Sequence, residues 1–286
     1  MKIAVASGKG GTGKTLVSTN LFDVIRKSGL AVSLVDCDAE EPNDQQFIKG
    51  NLTEEQVVTQ HVPVIDTLKC TFCGKCQQFC NYNALIVLPE MKHIQLVEEL
   101  CHDCGACSYA CQYGAISEKE RIIGNITKYE VDDEAVLLEG RIEIGVYSSV
   151  PLIHETIKVI NAGHIAILDS PPGTSCPFIA TIETADYVVL VTEPTPFGLN
   201  DLKLSVDTLK LLKKPFGVII NRSDIGNNTV LDYLNKSQIP LLSEIPFDRK
   251  IAGSYSEGRL IVEEIPEYQE IFTQLFKTIQ KQNSRD

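Results

Sequence analysis

The sequence predicts an α/β protein: a mostly parallel sheet with helices on both faces, interrupted by a small cysteine-rich α+β module. Three observations predict it. Short apolar runs of strand character alternate with helix-length patterns along both flanks of the chain. A glycine-rich turn joins the first such run to the first helix pattern. Eight of the ten cysteines fall between Cys70 and Cys111, inside an internal repeat. Setting aside roughly 60 residues of insert leaves about 225, ample for one domain of this class. The boundaries read from the sequence are 1–60 and 119–286 for the two parts of the α/β domain and 61–118 for the insert.

Taken in order, residues 2–7 form the first apolar strand, and Thr15–Ser28, closed by Gly29, reads as the helix after it. Ala31–Val35 is again strand-like. Beyond the insert, Ile142–Tyr147, Ile165–Leu168, Tyr187–Val191, Gly217–Ile220 and Leu241–Ile245 are candidate strands, with helix patterns at Leu199–Leu212 and Thr229–Lys236. Tyr268, Ile271, Phe272, Leu275, Phe276 and Ile279 trace an apolar stripe at helical spacing. Its other face carries few Lys or Arg, so it is expected to pack on the sheet rather than lie on a membrane.

Composition narrows the function classes. The 286 residues are 43% hydrophobic and 22% charged, which excludes disordered and fibrous classes. No apolar run approaches the roughly 18–20 residues of a membrane-spanning helix, and Met1–Ala6 runs into Gly and Lys with no secretory signal pattern. A cytoplasmic protein is expected. The formal charge of −12 disfavours non-specific binding to nucleic acid or anionic lipid. No Ser-His-Asp or H-E-x-x-H pattern appears among the five dispersed histidines.

Gly8-Lys9-Gly10-Gly11-Thr12-Gly13-Lys14-Thr15 fits G-x-x-x-x-G-K-[ST] with a strand before it and a helix after it. In that setting the backbone N–H groups of the loop cradle phosphates at a helix N-terminus. Lys14 would reach the β- and γ-phosphate oxygens of ATP, and Thr15 would place its hydroxyl on Mg²⁺. The second lysine makes the loop more specific. Gly-Lys-Gly-Gly-x-Gly-Lys-Thr resembles the deviant Walker A motif of the MinD/ParA group of ATPases, which includes the nitrogenase iron protein.

That resemblance covers both flanks, about three quarters of the chain. It implies an ATP-driven homodimer in which Lys9 reaches the partner's nucleotide, supplying charge to the phosphoryl-transfer transition state as an arginine finger does. Val35-Asp36-Cys37-Asp38 resembles the family's switch I, with Asp38 placed to orient the attacking water, and Asn43 follows at a family spacing. Asp169, ending the apolar run Ile165–Leu168, would hold Mg²⁺ through water, and Ser170-Pro171-Pro172-Gly173-Thr174 resembles switch II. Asn221 resembles the adenine-reading residue, with Pro246-Phe247-Asp248 where the base is flanked.

The repeat is found by sliding the sequence against itself. Residues 69–85 align with 100–116 without a gap, sharing four Cys, one Gly, one Tyr and one Ala. Cys70-x₂-Cys73-x₂-Cys76-x₃-Cys80 and Cys101-x₂-Cys104-x₂-Cys107-x₃-Cys111 both have the spacing of bacterial two-cluster ferredoxins. In that pattern three thiolates cap three corners of a cubane and the fourth Cys reaches the other cluster. Cys70, Cys73, Cys76 and Cys111 would then hold one [4Fe–4S] cluster, and Cys101, Cys104, Cys107 and Cys80 the second. Two zinc sites are the alternative, disfavoured by the third and fourth Cys of each run. The usual Pro after the fourth Cys is Asn81 in one half and Gln112 in the other.

Two cysteines stand apart. Cys176 lies seven residues after Asp169, where the nitrogenase iron protein has a cluster ligand, but no second Cys lies between Cys111 and Cys176. A buried or interface thiol is expected there, and Cys37 is expected to face the core. The parts point to an ATPase whose nucleotide state gates electron transfer through two [4Fe–4S] clusters to a redox or metalloprotein partner. The alternatives are a metal-centre maturation factor and a redox-sensing regulatory or positioning ATPase.

Overall fold

In the computed structural model, which describes residues 1–283, the chain starts with β1 (Lys2–Ala6), α1 (Lys14–Lys27) and β2 (Val32–Asp36). A long strand, β3 (Asn51–Ile65), then leads to α2 (Lys75–Gln78), β4 (Leu85–Leu88), β5 (His93–Leu96) and α3 (Ala106–Ala110). A second long strand, β6 (Ile116–Asp132), returns to β7 (Ala135–Ile142). The rest alternates: α4 (Val150–Lys158), β8 (Ile165–Asp169), α5 (Cys176–Ile182), β9 (Tyr187–Thr192), α6 (Pro196–Leu211), β10 (Phe216–Asn221), α7 (Thr229–Lys236) and β11 (Leu241–Ile245). Three helices close the described chain: α8 (Arg249–Ser256), α9 (Ile261–Glu264) and α10 (Pro266–Asn283).

Nine strands form one sheet in the order β11-β10-β9-β1-β8-β2-β7-β6-β3. Pairing is parallel from β11 to β7. It turns antiparallel for the last two, β6 on β7 and β3 on β6. The expected mostly parallel sheet is present, and the antiparallel edge is an addition that the apolar pattern does not announce. The β3–β6 pairing runs from Asn51↔Glu130 to Ile65↔Ile116, so the boundaries at residues 61 and 118 fall inside one continuous ribbon.

One expected strand is misplaced. Residues 143–147 are not a strand; the strand is β7, which ends at Ile142 and whose Val136, Leu137 and Leu138 are buried beside β2. After Ile142 the chain turns at Gly145 (φ +86°) and leaves Ile144 almost wholly exposed, so the apolar letters there mark a surface turn.

Strand alternation splits the core into two layers. Ile3 and Val5 of β1 pack with α1, α9 and α10, while Ala4 and Ala6 face α4, α5, α6 and α7. The C-terminal stripe takes its expected place: Tyr268, Phe272, Leu275, Phe276 and Ile279 are buried against the first layer, with Ile271 at its margin. Cys37 is buried in the second layer. Among the described residues, no helix is long and apolar enough to cross a membrane. Beyond the ribbon, β4 and β5 pair with each other alone, and Leu85 and Val87 form a small separate core with Cys76.

Candidate functional site

Parallel α/β sheets bind ligands at the carboxyl ends of their strands. Here the ends of β1, β2, β8, β9 and β10 carry the phosphate loop, Asp36, Asp169, Glu193 and Asn221. The loop between β1 and α1 depends on glycine. Gly13 has φ +100°, and a Cβ there would run into Nδ2 of Asn221. That amide donates to the Thr12 carbonyl oxygen at 2.8 Å, tying the expected base reader to the loop itself.

Thr15 donates its hydroxyl to Asp169 Oδ2 at 2.7 Å, joining the two residues expected to serve Mg²⁺. Around them acids crowd. Asp36, Asp44 and Asp169 are all buried, and Oδ1 of Asp169 and both oxygens of Asp44 have no hydrogen-bond partner. Burial pushes the Asp169 carboxyl up against the opposing pull of Lys14, and burial with the Asp36 and Asp169 charges does the same to Asp44. Asp36 is raised by burial and by Asp169, although it accepts the backbone N–H groups of Asp38, Asn43 and Asp44. Asp38 is pushed up to about 6, first by burial, with Lys14 opposing and Asp169, Glu40 and Glu41 adding. Buried carboxylates short of positive charge suit a divalent cation held by Thr15 and, through water, by Asp169.

Lys9 is not free in solvent. Its Nζ lies 3.1 Å from Glu193 Oε2, and Arg222 Nη1 lies 2.7 Å from Oε1 of the same carboxylate. Arg222 also lines a cleft of about 800 Å³ with Gly11, Asn221, Phe247, Ile251 and Tyr255, at the expected base position. Tyr255 packs in a tilted ring contact on Phe47 (ring centroids 4.7 Å apart) and so joins this cleft to the segment that follows Asp38. On the switch II side, the Gly173 N–H donates to the Ser7 carbonyl oxygen at 3.1 Å.

Sequence reasoning did not single out Glu193, Arg222, Asp44 or Tyr255. Glu193 carried a readable signal: an acid one residue past the apolar run Tyr187–Val191, much as Asp169 follows Ile165–Leu168. The other three depend on segments far apart in the chain.

The cysteines gather at the far end of the ribbon. Cys70, Cys73, Cys76 and Cys111 ring a small cavity walled by Phe72, Val87 and Ile94. Cys80, Cys101, Cys104 and Cys107 ring a second, walled by His61, Pro63, Tyr82 and His102. The fourth Cys of each run thus faces the other run's cavity. Backbone N–H groups point at sulfur: Phe72 to Cys70 Sγ (3.4 Å), Ala84 to Cys80 Sγ (3.3 Å) and Ala115 to Cys111 Sγ (3.4 Å). Among the described residues, no three His, Cys, Asp or Glu side chains form a group that could hold one metal ion; the thiols surround cavities instead. Cys176 is exposed at the start of α5 and is brought to neither cavity.

Strand, glycine loop and helix, with the carboxylates at neighbouring strand ends, define a P-loop nucleotide-binding protein. Comparison with known proteins sharpens this. The profile of the CobQ/CobB/MinD/ParA nucleotide binding domain matches residues 3–261, and the chain belongs to that family. An uncharacterized protein of Methanocaldococcus jannaschii is 31% identical over 265 residues, covering 90% of each chain. An iron-sulfur cluster carrier protein of Pyrococcus abyssi is 22% identical over 281 residues, 91% of this chain and 79% of that one. Among solved structures, the Pyrococcus furiosus cell division ATPase MinD matches over 98% of both chains, with TM-score 0.60 and 22% identity. The septum site-determining protein MinD of Pyrococcus horikoshii, complexed with Mg-ADP, matches over 96% of this chain and 93% of that one, with TM-score 0.58 and 20% identity. At those identities the solved structures establish the fold.

Proposed function

We propose that the chain is an ATP-hydrolysing iron–sulfur protein that dimerises on binding ATP and couples nucleotide state to electron transfer. The observation that carries the reading is the four-by-four gathering of eight thiols round two cavities, on a ribbon that continues directly from switch I. Each cavity has the thiols, the N–H donors to sulfur and the apolar walls that a [4Fe–4S] cluster requires. Such clusters supply one-electron transfer when bound.

At the nucleotide end, the loop N–H groups and Lys14 would hold the phosphates, Thr15 and Asp169 would hold Mg²⁺, which would supply charge neutralisation to the phosphoryl group, and Asp38 would orient the attacking water. Asn221 and the Pro246–Asp248 turn hold the base. Lys9 acts in trans, which requires it to leave Glu193. Hydrolysis loosens the segment around Asp38 and with it the root of β3.

The test is anaerobic reconstitution followed by iron analysis, ATP turnover, and sedimentation with ADP and with a non-hydrolysable ATP analogue. Two four-iron clusters per chain, and self-association with the analogue that Lys9→Ala abolishes, are expected. A chain that binds one zinc per cavity and no iron overturns the reading. A second reading, delivery of a cluster to another protein, is favoured by the relatives named iron-sulfur cluster carriers. Transfer of iron and sulfide to an apo-ferredoxin faster than their release to chelator would select it.

A further inference from the structure

The two halves of the cysteine repeat differ where they meet the rest of the molecule. Phe72 and Asp103 occupy equivalent repeat positions and share a left-handed backbone, with φ +54° and +50°. In the first loop that residue packs into the small apolar core with Cys76, Leu85 and Val87. In the second it turns outward, and Asp103 Oδ2 accepts the backbone N–H of His61 at 2.7 Å. His61 lies on β3, which pairs with β6 on one side only, so Asp103 occupies a hydrogen-bonding position on a free strand edge. Cys101 Sγ lies 3.9 Å from the His61 carbonyl oxygen, and Gln60 Nε2 donates to the Cys101 carbonyl oxygen at 3.5 Å. The second cavity accordingly has walls from both ribbon strands, His61 and Pro63 of β3 and Glu118 of β6; the first has its ribbon wall from Ile116 of β6, and β3 meets it through Ile65, which packs on the small core of Cys76, Leu85 and Val87.

The other end of β3 is rooted in the nucleotide site. Asp36 gathers the N–H groups of Asp38, Asn43 and Asp44, and three residues after Asp44 the Phe47 ring packs, tilted, against Tyr255 of the base cleft. Gly50 then passes so close to β6 that a Cβ would stand 2.9 Å from the Glu130 carbonyl oxygen. From Asn51 to His61 the strand spans roughly 33 Å. The strand, whose pairing with β6 shifts register at Leu52–Glu54 and Val58–Thr59, thus connects the segment around Asp36 physically to the loop that Asp103 fastens to it.

We infer that the Cys101–Cys107 loop is the nucleotide-reporting half of the cysteine module, with Asp103 as the positioning residue that couples it to β3. This rests on the reading of two [4Fe–4S] clusters given above. The cluster held by Cys101, Cys104, Cys107 and Cys80 then changes potential with nucleotide, and the one held by Cys70, Cys73, Cys76 and Cys111 does not.

The test is an anaerobic EPR redox titration of the reconstituted full chain with ADP and with a non-hydrolysable ATP analogue. Cys104→Ser and Cys73→Ser, at equivalent repeat positions, assign the two signals. The expected result is a tenfold change in the reduced-to-oxidised ratio at fixed potential, about 59 mV for one electron, confined to the signal that Cys104→Ser perturbs. Asp103→Ala removes the change at unaltered iron content, and Asp103→Asn, which keeps an acceptor oxygen, restores it. A shift on the Cys73-assigned signal, or one that survives in Asp103→Ala, overturns the inference while leaving nucleotide coupling intact. Two clusters with no shift in either overturn nucleotide coupling and the inference with it; a chain without clusters overturns the cluster reading. Should Asp103→Ala fail to take up iron, hydrogen exchange on wild-type protein decides. Nucleotide must change protection at residues 101–107 and leave 70–76 unchanged; equal change in both loops refutes the proposal.

Discussion

The two parts of the sheet are built on different principles. From β11 to β7 the strands are parallel and short, and the central ones are buried from end to end, as in β2 and β9. In β3 most side chains are exposed and in β6 only four of 17 are buried, and the strands run to 15 and 17 residues. Burial holds the first part, so its strand ends are fixed points on which carboxylates and a phosphate loop can be set. Backbone pairing with a single neighbour holds the outermost strand, which makes it suited to carrying a module and moving with it.

The sharpest test of that contrast is stability. Phe272→Ala, in the layer under the parallel strands, is expected to cost about 3–5 kcal/mol, whereas Val57→Thr on exposed β3 should stay within about 0.5 kcal/mol in denaturant melts. Comparable losses would mean that the ribbon is part of the main core. Next comes separability of function. Lys14→Ala should lower ATP turnover about 10²–10³-fold with iron content unchanged; a parallel loss of iron would show that the two parts do not assemble independently.

A smaller effect is expected at Glu193, where Lys9 is about one third exposed and the carboxylate is buried. Glu193→Gln should release Lys9 at a cost of about 1 kcal/mol, so analogue-driven self-association should tighten about fivefold in sedimentation. Weaker association would show that Glu193 supports the dimer rather than restraining Lys9. The smallest effect is with pH. Asp38 is raised to about 6 from an ordinary value of 3.8. Between those values the folded chain holds a proton that the unfolded chain has lost, so this group's contribution to stability falls as pH rises through the window. Nucleotide-free protein should therefore lose Tm from about pH 4 to about pH 6 less steeply as Asp38→Asn than as wild type. Turnover runs the other way, rising through about pH 6 as Asp38 ionises.

Legibility followed the same division. β8, β9 and β10 stand within a residue of where the apolar runs put them, because burial on both faces writes itself into composition. The cysteine repeat was readable because its spacing is local, and the fourth Cys of each run lines the other run's pocket. β3 was not readable, since Asn51–Gln56 is exposed throughout and has no alternation to detect. The turn at Gly145 was read as strand because apolar letters alone do not say which face they meet. Arg222 was silent for another reason: its partner Glu193 lies 29 positions away, and only the crossover from β9 to β10 brings them together.

The outer edge of β3 has a consequence for handling the protein. Among the described residues no strand covers it, and an uncovered edge is a template on which other chains can add. Glu54, Glu55 and Pro63 blunt much of its length, with charge and with a missing donor. At His61, next to buried Val62, the cover is instead the Cys101 loop. Oxidation that releases this loop would expose an adhesive stretch of strand, so in air the chains are expected to stack into aggregates before the parallel core melts. On the cluster reading proposed above, one loop would serve both as a ligand arm and as a guard against self-adhesion.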